Sequence, residues 1–188
     1  MIRQAVFLDR DGVINASVVR DGKPYPPASL EELKILPGVA SAIRALREAG
    51  FAIVVATNQP DVATGIQLRE VVEIMHSNLR NGLLIDDIRV CYHIDADKCT
   101  CRKPKPGMLL AAAHDLEIDL SRSFMVGDRW RDIEAGKAAG CYTFFIDYGY
   151  LEMKPESPDK VVVSLEEASK VILSMQNRNA GESDGKIE

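Results

Sequence analysis

FAIVVATNQ, residues 51–59, decides the fold. Its centre, AIVVA, has no polar alternation, which is the pattern of a strand buried on both faces, as in a parallel sheet. The run stops abruptly at three polar residues, Thr57, Asn58 and Gln59. Shorter runs of the same kind predict strands at 4–8, 88–92, 123–126, 142–146 and 160–163. Between them, apolar residues recur at helical spacing over 39–49, 67–81, 108–116 and 130–139. A last helix opens at SLEE, where Ser164 can cap and Glu167 can reach back. The β-α-β-α order predicts an α/β fold with a doubly wound, Rossmann-like parallel sheet. Such sheets bind ligands at the carboxyl ends of their strands.

The chain has 188 residues, 46% hydrophobic and 27% charged, which suits one globular domain over 1–175. A net charge of −5 argues against nucleic acid as a partner, because that binding rests on clustered cations. It leaves room for a small phosphorylated substrate held by a local positive pocket. No apolar run approaches the roughly 20 residues that a membrane helix needs. The first residues carry no signal-peptide pattern, so a cytoplasmic protein is expected. Residues 16–37, with Pro24, Pro26 and Pro27, read as a loop over the sheet with no large cap domain. The polar stretch 176–188 reads as a disordered tail.

The first strand ends in AVFLDRDGVIN, residues 5–15. Asp9 and Asp11 there would repel each other unless a cation or a proton lies between them. Mg²⁺ suits such a pair, since it takes one or two carboxylates plus water and substrate phosphate. A plain turn would use the same Asp and Gly residues. Other strand ends and loops weigh against that blander reading. Thr57 and Asn58 could donate to an anion, Asp128 and Asp132 add carboxylates, and Arg102 and Lys103 form a cationic pair.

A second constellation is CYHIDADKCTCRKP. Cys91, His93, Cys99 and Cys101 offer three thiolates and an imidazole, the donor set of a closed, structural Zn²⁺ site. The zinc loop, 91–101, leads directly into Arg102 and Lys103, so metal binding would fix those cations. Cys141, at the start of a strand, stands outside the set as a buried apolar residue.

DRDGVIN, TNQ, RKPKPG and GDRWRDIEAGKAAG, in this order, resemble the four motifs of the haloacid dehalogenase superfamily of phosphotransferases. The resemblance implies a phosphatase with Asp9 as nucleophile and Asp11 as general acid and base. It implies Mg²⁺ bound by Asp9, Asp11 and Asp128, with Asp132 in an outer position. Substrate would be held by Thr57, Asn58, Arg102, Lys103 and Arg129. The zinc loop narrows the likeness to two branches, the heptose-bisphosphate phosphatases of cell-envelope sugar synthesis and the histidinol-phosphate phosphatases. CRKPKPGMLL and GDRWRDIEAGKAAG are more similar to the heptose branch. That branch implies removal of the 7-phosphate of D-glycero-D-manno-heptose 1,7-bisphosphate; with no large cap domain in the sequence, a monomer is expected. The chain departs from the branch pattern at Pro60, in the 16–37 segment, and at Arg129, where a lysine is usual. A phospho-accepting receiver module would also join acidic residues, Thr and Lys on a parallel sheet, but its acidic pair and its phospho-acceptor sit on different strands, unlike Asp9 and Asp11. A zinc-dependent nucleic-acid binder fits the acidic charge poorly.

Overall fold

The computed structural model describes residues 3–183. The chain begins with β1 (Ala5–Leu8), then β2 (Val18–Arg20), β3 (Lys23–Tyr25), α1 (Val39–Glu48), β4 (Ala52–Asn58) and α2 (Arg69–Leu83). It continues through β5 (Asp87–Cys91), α3 (Gly107–Leu116), β6 (Phe124–Gly127) and α4 (Trp130–Ala139). It ends with β7 (Tyr142–Ile146), β8 (Lys160–Val162) and α5 (Leu165–Ser183). The main sheet has the order β5-β4-β1-β6-β7-β8, and every neighbouring pair is parallel. The chain works outward from β1 to β5, then returns to lay β6 along the other side of β1. That reversal opens a crevice at the carboxyl ends of β1, β4 and β6.

Helices cover both faces of the sheet, which is why its strands lack polar alternation. Val6, Leu8, Ile53, Val55 and Val126 pack against Ile43 and Leu46 of α1 and Ala168 and Ile172 of α5. Ala5, Phe7, Val54, Ala56 and Met125 face the other way, onto Met108, Leu109 and Ala112 of α3. All of β1 is buried. Burial of a side chain such as Phe7 or Leu8 contributes about 1.5–3 kcal/mol. The strand that carries the first acidic pair is therefore held from both sides.

Two expectations need correction. The 16–37 segment contains a hairpin, β2 paired antiparallel with β3 in the register Val18↔Tyr25. Its turn residues, Asp21 (φ 49°) and Gly22 (φ 72°), both adopt the left-handed conformation of a tight two-residue hairpin turn. The stretch from Gln176, expected to be disordered, continues α5 to Ser183, and Gln176 Nε2 donates to Ala49 O at 3.0 Å. Residues 184–188 of that expectation lie outside the described residues. The cap of α5 forms as read, with Ser164 Oγ accepting from the Glu167 N–H at 3.1 Å. Among the described residues no helix is long and apolar enough to cross a membrane.

The seating of α4 depends on Gly136. A Cβ there would lie 2.7 Å from Met125 Cβ and 2.8 Å from Thr143 Cγ2. Gly136→Val should therefore push α4 off the sheet and lower stability by about 1–3 kcal/mol. Urea unfolding checks this, and an unchanged midpoint would contradict the close seating.

Candidate active site

Asp9 follows β1 directly, and its N–H donates to Val126 O at 3.0 Å, so it extends the β1–β6 ladder by one residue. This ties its position to the core. Asp9 Oδ1 accepts from the Arg10 N–H at 2.7 Å and lies 2.9 Å from Lys103 Nζ. Lys103 is almost fully buried, and its ammonium also lies 2.5 Å from Asp132 Oδ1. Asp128 completes the group: Asp9, Asp128 and Asp132 can each place a carboxylate oxygen within 4.8 Å of the others. Gly12 makes room for it. Its φ is +81°, and a Cβ would fall 1.8 Å from Asp128 Oδ2.

This centre is short of positive charge, with three buried carboxylates facing the Lys103 ammonium and, from further off, an Arg129 guanidinium already paired with Glu152. Burial, and then the nearby Asp132, push the Asp9 carboxyl up to about 6, against the pull of Lys103. Burial, Asp9 and Asp132 push Asp128 well above the usual carboxylate range. Both Asp128 oxygens are buried without a hydrogen-bond partner. Unpaired buried carboxylate oxygens are costly. An all-oxygen set of this kind fits a hard divalent cation such as Mg²⁺.

The carboxylate of Asp11, expected as a magnesium ligand, is not in that group. It points to Arg10, whose Nε and Nη2 donate to its two oxygens at 3.0 and 2.8 Å. Asn15 Nδ2 and Gln59 Nε2 each add a bond at 2.9 Å. Burial opposes the charge on Asp11, but Arg10 and then Asn15 and Gln59 hold its carboxyl below the usual range. Asp132, expected in an outer position, is the third carboxylate of the cluster with Asp9 and Asp128. Its sequence signal was its place one helical turn after Asp128.

The substrate-facing residues divide into those at the cleft and those that hold others. Thr57, the last residue but one of β4, lies at the cleft, and its Oγ1 accepts from Gln59 Nε2 at 2.9 Å, which leaves its hydrogen free to donate. Asn58, expected to bind phosphate, spends its amide on Lys103 instead. Its Nδ2 donates to Lys103 O, and its Oδ1 accepts from Lys103 N–H, both at 3.1 Å. Arg102 lines the cleft and donates through Nε to Asp95 at 2.7 Å. Arg129 lines it too, but its guanidinium is paired with the carboxylate of Glu152. Sequence reasoning missed Arg131, which reaches Asp95 at 3.3 Å and lies over the Trp130 ring at 4.8 Å. It also missed Lys23 and Tyr25 of β3, which wall the cleft. The cleft holds about 300 Å³, the size of a small phosphorylated metabolite.

Cys91, His93, Cys99 and Cys101 converge beside the cleft, and all the thiols are free. Their donor atoms lie 3.3–3.8 Å apart. Four donors about 2.0–2.3 Å from one zinc ion would be separated by nearly such distances. Burial and Cys101 push the Cys91 thiol up to about 12, so an ionised set needs a cation to sustain it. Cys141 is outside this donor set and is buried in the apolar cluster on the α3 side of the sheet, as expected.

The comparisons agree with this geometry. The haloacid dehalogenase-like hydrolase family matches residues 25–140. The D-glycero-β-D-manno-heptose-1,7-bisphosphate 7-phosphatase of Rhodopseudomonas palustris is 41% identical, over 73% of this chain and 80% of that protein. The D-glycero-D-manno-heptose-1,7-bisphosphate 7-phosphatase of Thermosynechococcus vestitus is 38% identical, over 80% of this chain and 82% of that one. Among solved structures, the D,D-heptose 1,7-bisphosphate phosphatase of B. bronchiseptica, complexed with magnesium and phosphate, superposes with a TM-score of 0.79. It is 31% identical and covers 92% of this chain and 99% of that one. Motifs, sheet order, acidic centre and relatives all agree: this chain belongs to the haloacid dehalogenase-like hydrolases and is a phosphatase.

Proposed function

We propose that this chain removes the 7-phosphate of D-glycero-D-manno-heptose 1,7-bisphosphate through an aspartyl-phosphate on Asp9. The observation that carries the reading is the buried trio Asp9, Asp128 and Asp132, with Lys103 Nζ bridging Asp9 and Asp132. Relatives at about 40% identity that bear this activity by name support the substrate. In this site Mg²⁺ on Asp9 and Asp128, with Asp132 adjoining, would neutralise charge on the phosphoryl group and lessen its repulsion of the nucleophile.

The two known contacts to Asp9 both fall on Oδ1, which leaves Oδ2 as the attacking oxygen. As the Asp9–phosphorus bond forms, the bond from phosphorus to the sugar oxygen breaks. For this Asp11 must turn from Arg10 and take up a proton from water; it then gives that proton to the sugar oxygen and takes one from the water that hydrolyses the aspartyl-phosphate. Thr57 Oγ1 and Lys103 Nζ hold phosphoryl oxygens, with Asn58 acting through the Lys103 backbone. Arg102 and Arg131, at the rim, are cations for the substrate's second phosphate in competition with Asp95. Zn²⁺ on Cys91, His93, Cys99 and Cys101 would fix the loop that delivers Arg102 and Lys103.

Phosphate release from the heptose bisphosphate, histidinol phosphate, fructose 1,6-bisphosphate and p-nitrophenyl phosphate tests the reading. The highest kcat/KM is expected for the heptose bisphosphate with Mg²⁺, and Asp9→Asn should lower it by at least ~1000-fold. A preference for histidinol phosphate would overturn the substrate, and an active Asp9→Asn variant would overturn the mechanism. Cys99→Ser should lose bound zinc by elemental analysis and lower the melting temperature. It should reduce kcat although every reacting group is intact, and full activity without zinc would contradict the proposed role of the loop.

A further inference from the structure

Arg129 and Glu152 form an ion pair at the cleft, and nothing in the reaction so far uses Glu152. The guanidinium donates from Nε to Glu152 Oε2 at 2.8 Å and from Nη2 to Oε1, so the carboxylate grips it at two points. The segment that brings Glu152 there is braced. The Leu151 N–H donates at 2.8 Å to the carbonyl of Gly22, in the turn between β2 and β3. The Leu151 side chain lies against the same glycine, where a Cβ would fall 2.6 Å from Leu151 Cδ1. Lys154 Nζ donates to Asp147 Oδ2 at 2.6 Å and closes the segment on itself.

The cations that meet the zinc loop are held differently. Arg102 and Arg131 share Asp95, whose side chain is 65% exposed, whereas that of Glu152 is 19% exposed. Water screens an exposed pair, so an incoming phosphate can take Arg102 and Arg131 from Asp95. The carboxylate of Glu152 is more enclosed and bonded through both oxygens, so the Arg129 charge stays cancelled. We propose that Glu152 is a specificity-determining residue: by holding and neutralising Arg129 it leaves the substrate's second phosphate to Arg102 and Arg131, and so limits the preference of the cleft for bisphosphates over monophosphates. The pair keeps that wall polar but without net charge, which suits the hydroxyls of a sugar better than a second anion.

The inference rests on the sugar-bisphosphate reading of the substrate. Its test compares D-glycero-D-manno-heptose 1,7-bisphosphate with the 7-monophosphate, which has the same reacting phosphate and lacks the other. The quantity read is the ratio of the two kcat/KM values, which damage to folding or to the phosphoryl chemistry would not move, because both substrates share it. Glu152→Gln frees Arg129 and should raise this ratio about tenfold, through the KM of the bisphosphate. The gain should shrink as salt is added. Arg129→Gln leaves the Glu152 charge uncompensated and should lower the ratio below wild type, and the double variant should return it close to the wild-type value. Should Glu152→Gln fold poorly, Glu152→Ala carries the same comparison. An unchanged or lower ratio in Glu152→Gln would overturn the role, as would a gain that persists in full in the double variant. If the wild type does not hydrolyse the heptose bisphosphate, the substrate reading fails by itself. The ratio for fructose 1,6-bisphosphate over the monophosphate that keeps the reacting phosphate then decides the role of Glu152. Failure to hydrolyse either bisphosphate would overturn both.

Discussion

The site depends on one buried ammonium set among three carboxylates. Lys103 pairs with Asp9 and Asp132, while Asp128 forms no ion pair and has only the Tyr150 hydroxyl and the more distant Arg129 charge facing it. A carboxylate in a poorly solvated place is stable only near positive charge. The fold supplies Lys103 directly and Arg129 at longer range, which leaves room for a divalent cation. Burial first, and then the neighbouring carboxylates, raise Asp9 and Asp128 above the usual carboxylate range, and such an all-oxygen set fits a hard divalent cation.

Much of the remaining structure serves to keep those charges in place. The double-faced core clamps β1, and the ladder bond from Asp9 to Val126 carries that rigidity one residue into the site. Lys103 comes from a loop, which would be the weakest part. Asn58 grips its backbone at the end of β4, and the four zinc-type donors close the chain just before it. Gly12 and Gly136 contribute by being small. The first lets Asp128 approach the turn after β1, and the second lets α4 carry Asp132 against the sheet. A site of this kind trades stability for chemistry, as buried charged centres do.

The strands, helices and acidic motifs were legible because each leaves a local mark: apolar runs without alternation, helical stripes, and Asp at strand ends. The zinc-type set was legible from donor spacing alone. The hairpin of β2 and β3 was missed because its prolines argued for a loop, although Asp21-Gly22 is a strong hairpin turn signal. Partner choice was not legible. Asn58 binds backbone where phosphate binding was expected, and Arg129 meets Glu152, because those partners lie 45 and 23 residues away in sequence. Asp11 is drawn from the metal group by Arg10, a residue hidden in plain sight between the two aspartates. His76 is buried, and its link to Arg10 spans 66 residues, so its sequence neighbours could not name that partner.

The central claim is that the acidic trio is deficient in positive charge until a divalent cation binds. Thermal unfolding of the wild type and of Asp128→Asn, each without and with Mg²⁺ at pH 8 and with zinc retained, tests it most directly. Removing a buried, unpaired charge should make the variant the more stable of the two in the absence of Mg²⁺. Saturating Mg²⁺ should then raise the wild-type melting temperature far more and reverse the order. A variant less stable than wild type without Mg²⁺, or equal gains for both proteins with it, would contradict the account.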